Sequence, residues 1–235
     1  MSRPKRGALG QETALQQFGK GLPLKTEWVE LPDIEALYHK LGLEASIKYP
    51  DGRPYYSLPL IYDPATNTHV SDSYQIALYL DKTYPNTPPL FPKGTLAFHK
   101  IFQATADKVV LALLPVFLST FSDRLNLRSR EYYRPAREKW FGATLESFCN
   151  ETQWEKAEKA WEELATILDA NGKGQDLLMM GDQMCFADFQ IAAMLIGSRN
   201  AIGEDSEMWK RVCGWQDGKW KRFIDQFSKY ATIDT

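Results

Sequence analysis

From Leu24 to Glu30 apolar and polar residues alternate, in the order Leu24-Lys25-Thr26-Glu27-Trp28-Val29-Glu30, which predicts a half-buried strand. The period then changes. Pro32 to Leu37 opens a helix with Asp33 as cap and Ile34, Leu37 and Leu41 on one face. Leu58-Pro59-Leu60-Ile61-Tyr62 reads as a short apolar strand, Asp63 to Thr68 as a turn and His69-Val70-Ser71 as a returning strand, so the three form a β-hairpin. Ser73 to Leu80 follows as a helix with Ile76, Tyr79 and Leu80 on one face. Downstream the pattern is helical to the end, near residues 95–121, 129–148, 152–170, 186–198 and 206–230, with no competing alternation.

Between the two textures lies Tyr84-Pro85-Asn86-Thr87-Pro88-Pro89-Leu90-Phe91-Pro92, a stretch that no helix can cross and that makes a stiff linker. The expected organisation is α+β: a disordered tail over 1–11, a small mixed domain over 12–84, the linker over 85–94 and an all-helical domain over 95–235. Each half is long enough to bury a core of its own. Charged residues make up 25% and the net charge is -2, so no general field recruits nucleic acid or an anionic membrane. The ten-residue apolar run Val109 to Leu118 is too short to span a bilayer. The basic start, Met1 to Arg6, is followed by no apolar stretch of the kind a secretory signal needs. Cys149, Cys185 and Cys213 are odd in number and far apart, without metal spacing. That usage fits a reducing, cytoplasmic setting and no metal.

Two short motifs carry candidate chemistry. Leu58-Pro59 places a proline inside a strand, where it removes a ladder donor. A cis bond would turn the backbone of Leu58 outward as an edge for an extended peptide, whereas a trans proline would make an ordinary edge strand. Ser71-Asp72-Ser73 stands directly before an amphipathic helix. It is either a plain N-cap or a seat for an amino-acid head group, with the helix N-terminus and the Ser73 hydroxyl on the carboxylate and Asp72 on the ammonium.

In sequence order these motifs resemble the thioredoxin-like half of the glutathione transferases, and among them the fungal-specific class A enzymes related to bacterial β-etherases. Tyr56 to Pro64 followed by Val70 to Asp81 carries the likeness, and Gly21 to Glu30 is similar to the family's second strand. In the helical half Arg137 to Gly142 and Gly181 to Phe189 match as well, so the resemblance covers roughly residues 12 to 230. It implies a thioredoxin-like N-terminal domain followed by an all-helical C-terminal one. It also implies glutathione as co-substrate, with Leu58 before cis Pro59 pairing with the cysteinyl backbone and Asp72 and Ser73 taking the γ-glutamyl end. Lys48 and Arg53 are candidates for the glycyl carboxylate. The implied partners are a small hydrophobic, aromatic electrophile and a second copy of the chain in a homodimer. The implied role is conjugation in detoxification or secondary metabolism; a non-catalytic carrier of the same fold is the alternative. Tyr132, Tyr133, Phe117 and Phe121 are the aromatic candidates for facing the electrophile.

The family sets a Ser or Thr cap with Asp three residues on, which here becomes Cys185 and Asp188, a folding motif rather than a catalytic one. It also sets a strand and a catalytic serine loop before the Lys20-Gly21-Leu22-Pro23 stretch. Met1 to Gly10 has no β-branched residue and Ser2 is the only serine before Ser46, so the expectation is that strand and loop are missing and the catalytic residue is unassigned.

Overall fold

The structure, a computed structural model, describes residues 19–49, 51–176 and 178–230. The expected tail and first helix fall in residues 1–18, outside the described residues, and so does the stretch where the strand and serine loop are expected to be missing.

The stretch from Leu22 to Glu30 has no regular structure and forms no ladder, which corrects the strand expected at Leu24–Glu30. Alternation makes one face apolar, but a strand also needs a neighbour for its backbone, and among the described residues none pairs with it. Leu31–Asp33 form a 3₁₀ turn that runs straight into α1, Ile34–Lys40. Asp33 does not cap α1 with its side chain, again unlike the expectation. Its backbone is already helical, φ -95° and ψ -8°, where a capping residue must be extended. Its carboxylate instead takes both guanidinium nitrogens of Arg128.

Two small antiparallel pairs follow. β1 (Ile47–Lys48) pairs with β2 (Pro54–Tyr55), a hairpin the sequence pattern did not signal. β3 (Leu60–Asp63) pairs with β4 (Thr68–Ser71), with Leu60 opposite Ser71 and Ile61 opposite Val70, as expected for that hairpin. α2 (Ser73–Thr83) packs over this second pair through Ile76 and Leu80 against Ile61. The Asp63 carboxylate accepts from the hydroxyls of Tyr79 and Tyr84, each at 2.6 Å, and so ties hairpin to helix. At the far end of α2, Asp81 accepts from the buried Lys20 ammonium at 2.7 Å and from the linker N–H groups of Leu90 and Phe91 at 3.0 and 2.8 Å.

The helical half is built on α3 (Leu96–Arg124), which packs against α5 (Glu151–Asp169) and α6 (Phe186–Ile202). α3 is long and apolar enough to cross a membrane by length and composition, and its buried face, with Phe102, Leu113, Val116 and Phe117, belongs to the core. α4 (Leu127–Phe141) ends at Gly142, whose φ of 71° closes the helix in the left-handed region glycine favours. The helix expected over 129–148 is therefore shorter, and a 3₁₀ turn at Leu145–Phe148 completes the span. The single helix expected over 206–230 is two, α7 (Glu207–Gly214) and α8 (Lys219–Asp225). Gln216, Asp217 and Gly218 between them all have positive φ, which no right-handed helix admits.

α6 starts as the capping motif requires, with one difference. The Cys185 N–H donates to Asp188 Oδ2 at 2.9 Å, and the Cys185 thiol donates to the same oxygen at 3.0 Å. The thiol thus donates to the carboxylate besides facing the Asp188 N–H in the capping box, where a family serine or threonine would offer its hydroxyl. The other carboxylate oxygen takes the Met179 N–H at 2.8 Å. Burial pushes the Asp188 pKa up to about 6 against these three donors.

Candidate functional site

The Leu58–Pro59 bond is cis. Among the described residues the backbone N–H and C=O of Leu58 have no hydrogen-bond partner, so its edge is open. Tyr38 of α1, fully buried, donates its hydroxyl to the Ser57 carbonyl at 2.6 Å and fixes the chain just before that edge. Burial, with the Asp72 carboxylate nearby, pushes the Tyr38 phenol up and keeps it a neutral donor.

Pro59 C=O accepts the Asp72 N–H at 3.3 Å, so the two motifs meet across the end of the β3–β4 pair. Asp72 caps α2 by accepting the Gln75 N–H at 3.0 Å. Its backbone lies at φ 75° and ψ 127°, a region that non-glycine residues rarely occupy, at a cost on the order of 1–3 kcal/mol. Strain of this size persists where the surroundings dictate it, and here it sets a carboxylate beside the open N–H groups of a helix start. Ser73, half-buried at the first position of α2, uses its hydroxyl with no described residue. The Asp72 N–H to Pro59 carbonyl bond thus joins the segment after the Leu58 edge to the start of α2, where Asp72 and Ser73 stand.

A cleft of about 560 Å³ opens beside this edge between the two halves of the molecule. Glu35, Tyr49, Arg53 and Tyr56 line one wall, and Tyr132, Lys139 and Trp140 of α4 the other. Tyr49, Tyr56, Tyr132 and Ala136 also line a smaller recess of about 20 Å³ that reaches Ser57, next to Leu58. Tyr49, Tyr55 and Trp140 pack edge to face with ring centroids 4.9 to 5.3 Å apart. Rings so arranged make a rigid apolar wall for a flat ligand.

The sequence profile described as "Glutathione S-transferase, C-terminal domain" matches residues 97–230, more than half of the chain. The chain belongs to the glutathione S-transferase family. Glutathione transferase GSTFuA3 of Phanerochaete chrysosporium is 43% identical and superposes with a TM-score of 0.91 over 97% of this chain and 92% of that one. A glutathione S-transferase of Ceriporiopsis subvermispora, solved in complex with glutathione, is 37% identical at a TM-score of 0.91, with the same shares covered. The curated glutathione S-transferase-like protein ustS of Aspergillus flavus is 28% identical over 86% of this chain and 76% of its own.

Within this glutathione S-transferase fold the remaining candidates separate. Tyr132 lines both cavities and Tyr133 the smaller one. Phe117 and Phe121 do not reach the cleft. Phe117 is buried against Trp154 of α5, and Phe121, half-buried, packs edge to face on Tyr133. An aromatic stripe on a helix more often turns to the core than to a ligand, and burial decides it here. Arg53 lines the cleft, lies over the Tyr49 ring and is paired with Asp51 at 2.9 Å, while Lys48 does not line it. Among the described residues no cluster of metal-ligating side chains occurs.

The sequence reading missed Tyr49, Tyr55, Tyr56, Trp140 and Arg137. The tyrosines were signalled as density, three of them in Tyr49-Pro50-Asp51-Gly52-Arg53-Pro54-Tyr55-Tyr56 around a turn, while Arg137 and Trp140 stood in the Arg137–Gly142 stretch of family likeness without a site role. A turn between aromatics can set them against a partner surface, but which surface is decided by the packing of α4.

Proposed function

We propose that this chain binds glutathione along the Leu58 edge and the start of α2, and conjugates its sulfur to small, hydrophobic, aromatic electrophiles held in the adjoining cleft. The observation that carries this reading is the convergence of an unpaired peptide edge with a strained Asp72 and a free Ser73 hydroxyl. A γ-glutamyl tripeptide offers the complementary set. Its cysteinyl amide pairs with the Leu58 backbone, its ammonium with Asp72, and its γ-glutamyl carboxylate with the Ser73 hydroxyl and the N–H groups of α2. The glutathione complex of the Ceriporiopsis relative supports the choice of ligand.

In the reaction the thiol loses its proton, the thiolate sulfur forms a bond to an electrophilic carbon, and any leaving group departs with the electron pair of the bond it breaks. Free thiols have a pKa near ~8.5, so the rate depends on a group that favours the thiolate. The expectation from the sequence is that the family's serine loop is missing, and the residues where it would stand, 1–18, lie outside the described residues, so no residue is assigned that role. The cleft contributes by stacking the acceptor ring against Tyr56, Tyr132 and Trp140 and excluding water from it. In this reading the protein is cytoplasmic, works as a homodimer, and serves detoxification or secondary metabolism.

Calorimetric titration with glutathione tests the binding half. Wild type is expected to bind, and Asp72→Ala to bind about tenfold or more weakly, since one charge-assisted hydrogen bond of about 1.5–3 kcal/mol is lost. Equal affinity in the two proteins would overturn the placement of the γ-glutamyl end. A conjugation assay with 1-chloro-2,4-dinitrobenzene tests the chemical half. Binding without turnover of this or other aromatic electrophiles would make the protein a carrier.

A further inference from the structure

Arg137 stands apart from the other arginines of α4. Arg128 holds the Asp33 carboxylate, Arg134 holds Glu138 and Glu146, and Arg130 donates to the Ser122 and Asp123 carbonyls. Arg137 has no carboxylate within ion-pair reach among the described residues, and its one hydrogen bond in good geometry runs from Nη2 to the Tyr55 hydroxyl at 2.6 Å. Three rings surround it instead, with the guanidinium 5.4 Å from the centroid of Tyr55, 5.2 Å from Tyr133 and 5.1 Å from Trp140. It lines the recess that connects Ser57 with the main cleft.

Rings compensate a guanidinium only in part, and a largely buried cation without a counter-charge is costly. Arginine also has five N–H donors in a planar fork, and beyond the Tyr55 and Tyr133 hydroxyls most of them here have no acceptor among the described residues. The rings hold the fork in place and leave its unused edge for a ligand. We infer that Arg137 is a specificity residue that selects an aromatic carboxylate, an arene acid, as the ligand of the cleft. The ring of such a ligand would lie against Tyr56, Tyr132 and Trp140, and its carboxylate would take the guanidinium edge two-pronged. That this ligand is the second substrate rests on the conjugation reading above. Its recognition by Arg137 does not.

The test is calorimetric titration of the full chain, without glutathione, with 2-naphthoate and with 2-naphthamide, its neutral counterpart. Wild type is expected to prefer the acid by about tenfold or more, the value of a charge-assisted pair. Arg137→Met should erase the preference while holding the amide affinity within about twofold, because the ring contacts remain. Arg137→Lys should keep part of it, as a point charge lacks the planar fork. Melting temperatures confirm folding, and if Arg137→Met does not fold, the wild-type ratio and Arg137→Lys still decide. Equal binding of acid and amide by wild type, no binding of either, or an unchanged preference in a folded Arg137→Met protein would overturn the inference. Glutathione titrated into the same variant separates the other source of a carboxylate. Loss of glutathione affinity with the naphthoate preference intact would assign Arg137 to the tripeptide and overturn the inference. Absence of glutathione binding to wild type would remove the conjugation reading and leave the naphthoate result standing.

Discussion

His99 is fully buried among Phe91, Phe98 and Phe186, and neither of its ring nitrogens has a hydrogen-bond partner among the described residues. Burial lowers its pKa from 6.5 to about 4, so it stays neutral where an exposed histidine would charge. The unfolded chain then binds a proton that the folded one refuses. Stability from this site is full above about pH 6.5 and falls as pH drops toward 4, by roughly 3 kcal/mol in all. Asp188 acts in the opposite sense, because its folded pKa is raised to about 6 and its charged form is the disfavoured one. Its contribution is therefore greatest below the unfolded value and declines as pH rises to 6. Denaturant unfolding of wild type and His99→Leu at pH 7.5 and pH 4.5 isolates the histidine, since Asp188 cancels in the difference. The variant should gain relative stability at the lower pH, by about 2 kcal/mol. An unchanged difference between the two pH values would mean that His99 protonates in place.

At the scale of elements, the Asp81 clasp decides where the two halves meet. It gathers the Lys20 ammonium and two linker N–H groups at the end of α2, with the Lys20 side chain 1% exposed. Removing the carboxylate leaves the buried Lys20 ammonium without its counter-charge, with only the Pro88 carbonyl at 3.0 Å, and leaves two linker N–H donors unpaired. Asp81→Ala should therefore cost about 3–5 kcal/mol, more than any exposed ion pair of this chain. Thermal unfolding checks this, and a loss below about 1 kcal/mol would mean that water replaces the carboxylate. The elements around this clasp were legible in sequence. Ile76 and Leu80 on one helical face, the Asp63–Thr68 turn and the prolines after Tyr84 each act locally, and each appears where the pattern put it. Features that depend on a partner were not legible. The alternation at Leu24–Glu30 describes a face and says nothing of whether a neighbouring strand exists. The break at Gln216 and Asp217 rests on two left-handed residues that no glycine or proline announces ahead of Gly218. The cis Leu58–Pro59 bond and the Asp72 cap of α2 were legible because each is written in a few neighbouring residues. Arg137 was not legible, because its lack of a carboxylate depends on where the acids of other elements fall.

At the scale of the whole molecule, α3 has two faces that need burial and covers only one of them. Its inner face is core, but Leu96, Ile101 and Leu111 are at least half exposed, Ile101 the most at 74%. With Ala97 and Ala104, also exposed, Ile101 and Leu111 form a stripe at positions 97, 101, 104 and 111, the helical spacing of a docking face. The homodimer proposed here fits that stripe, because a two-fold axis lets the same patch serve both copies. Each side chain covered in such an interface counts twice. Burying Ile101 or Leu111 contributes about 1.5–3 kcal/mol per copy, so Ile101→Asp with Leu111→Asp should weaken a dimer by roughly 6 kcal/mol or more. Sedimentation at micromolar concentration should show wild type as a dimer and the double variant as a monomer. Circular dichroism should show both folded, since neither side chain belongs to the core. A wild-type monomer would rule out the dimer under these conditions. A dimer that survives both aspartates would place the interface on another face and leave the α3 stripe without an occupant.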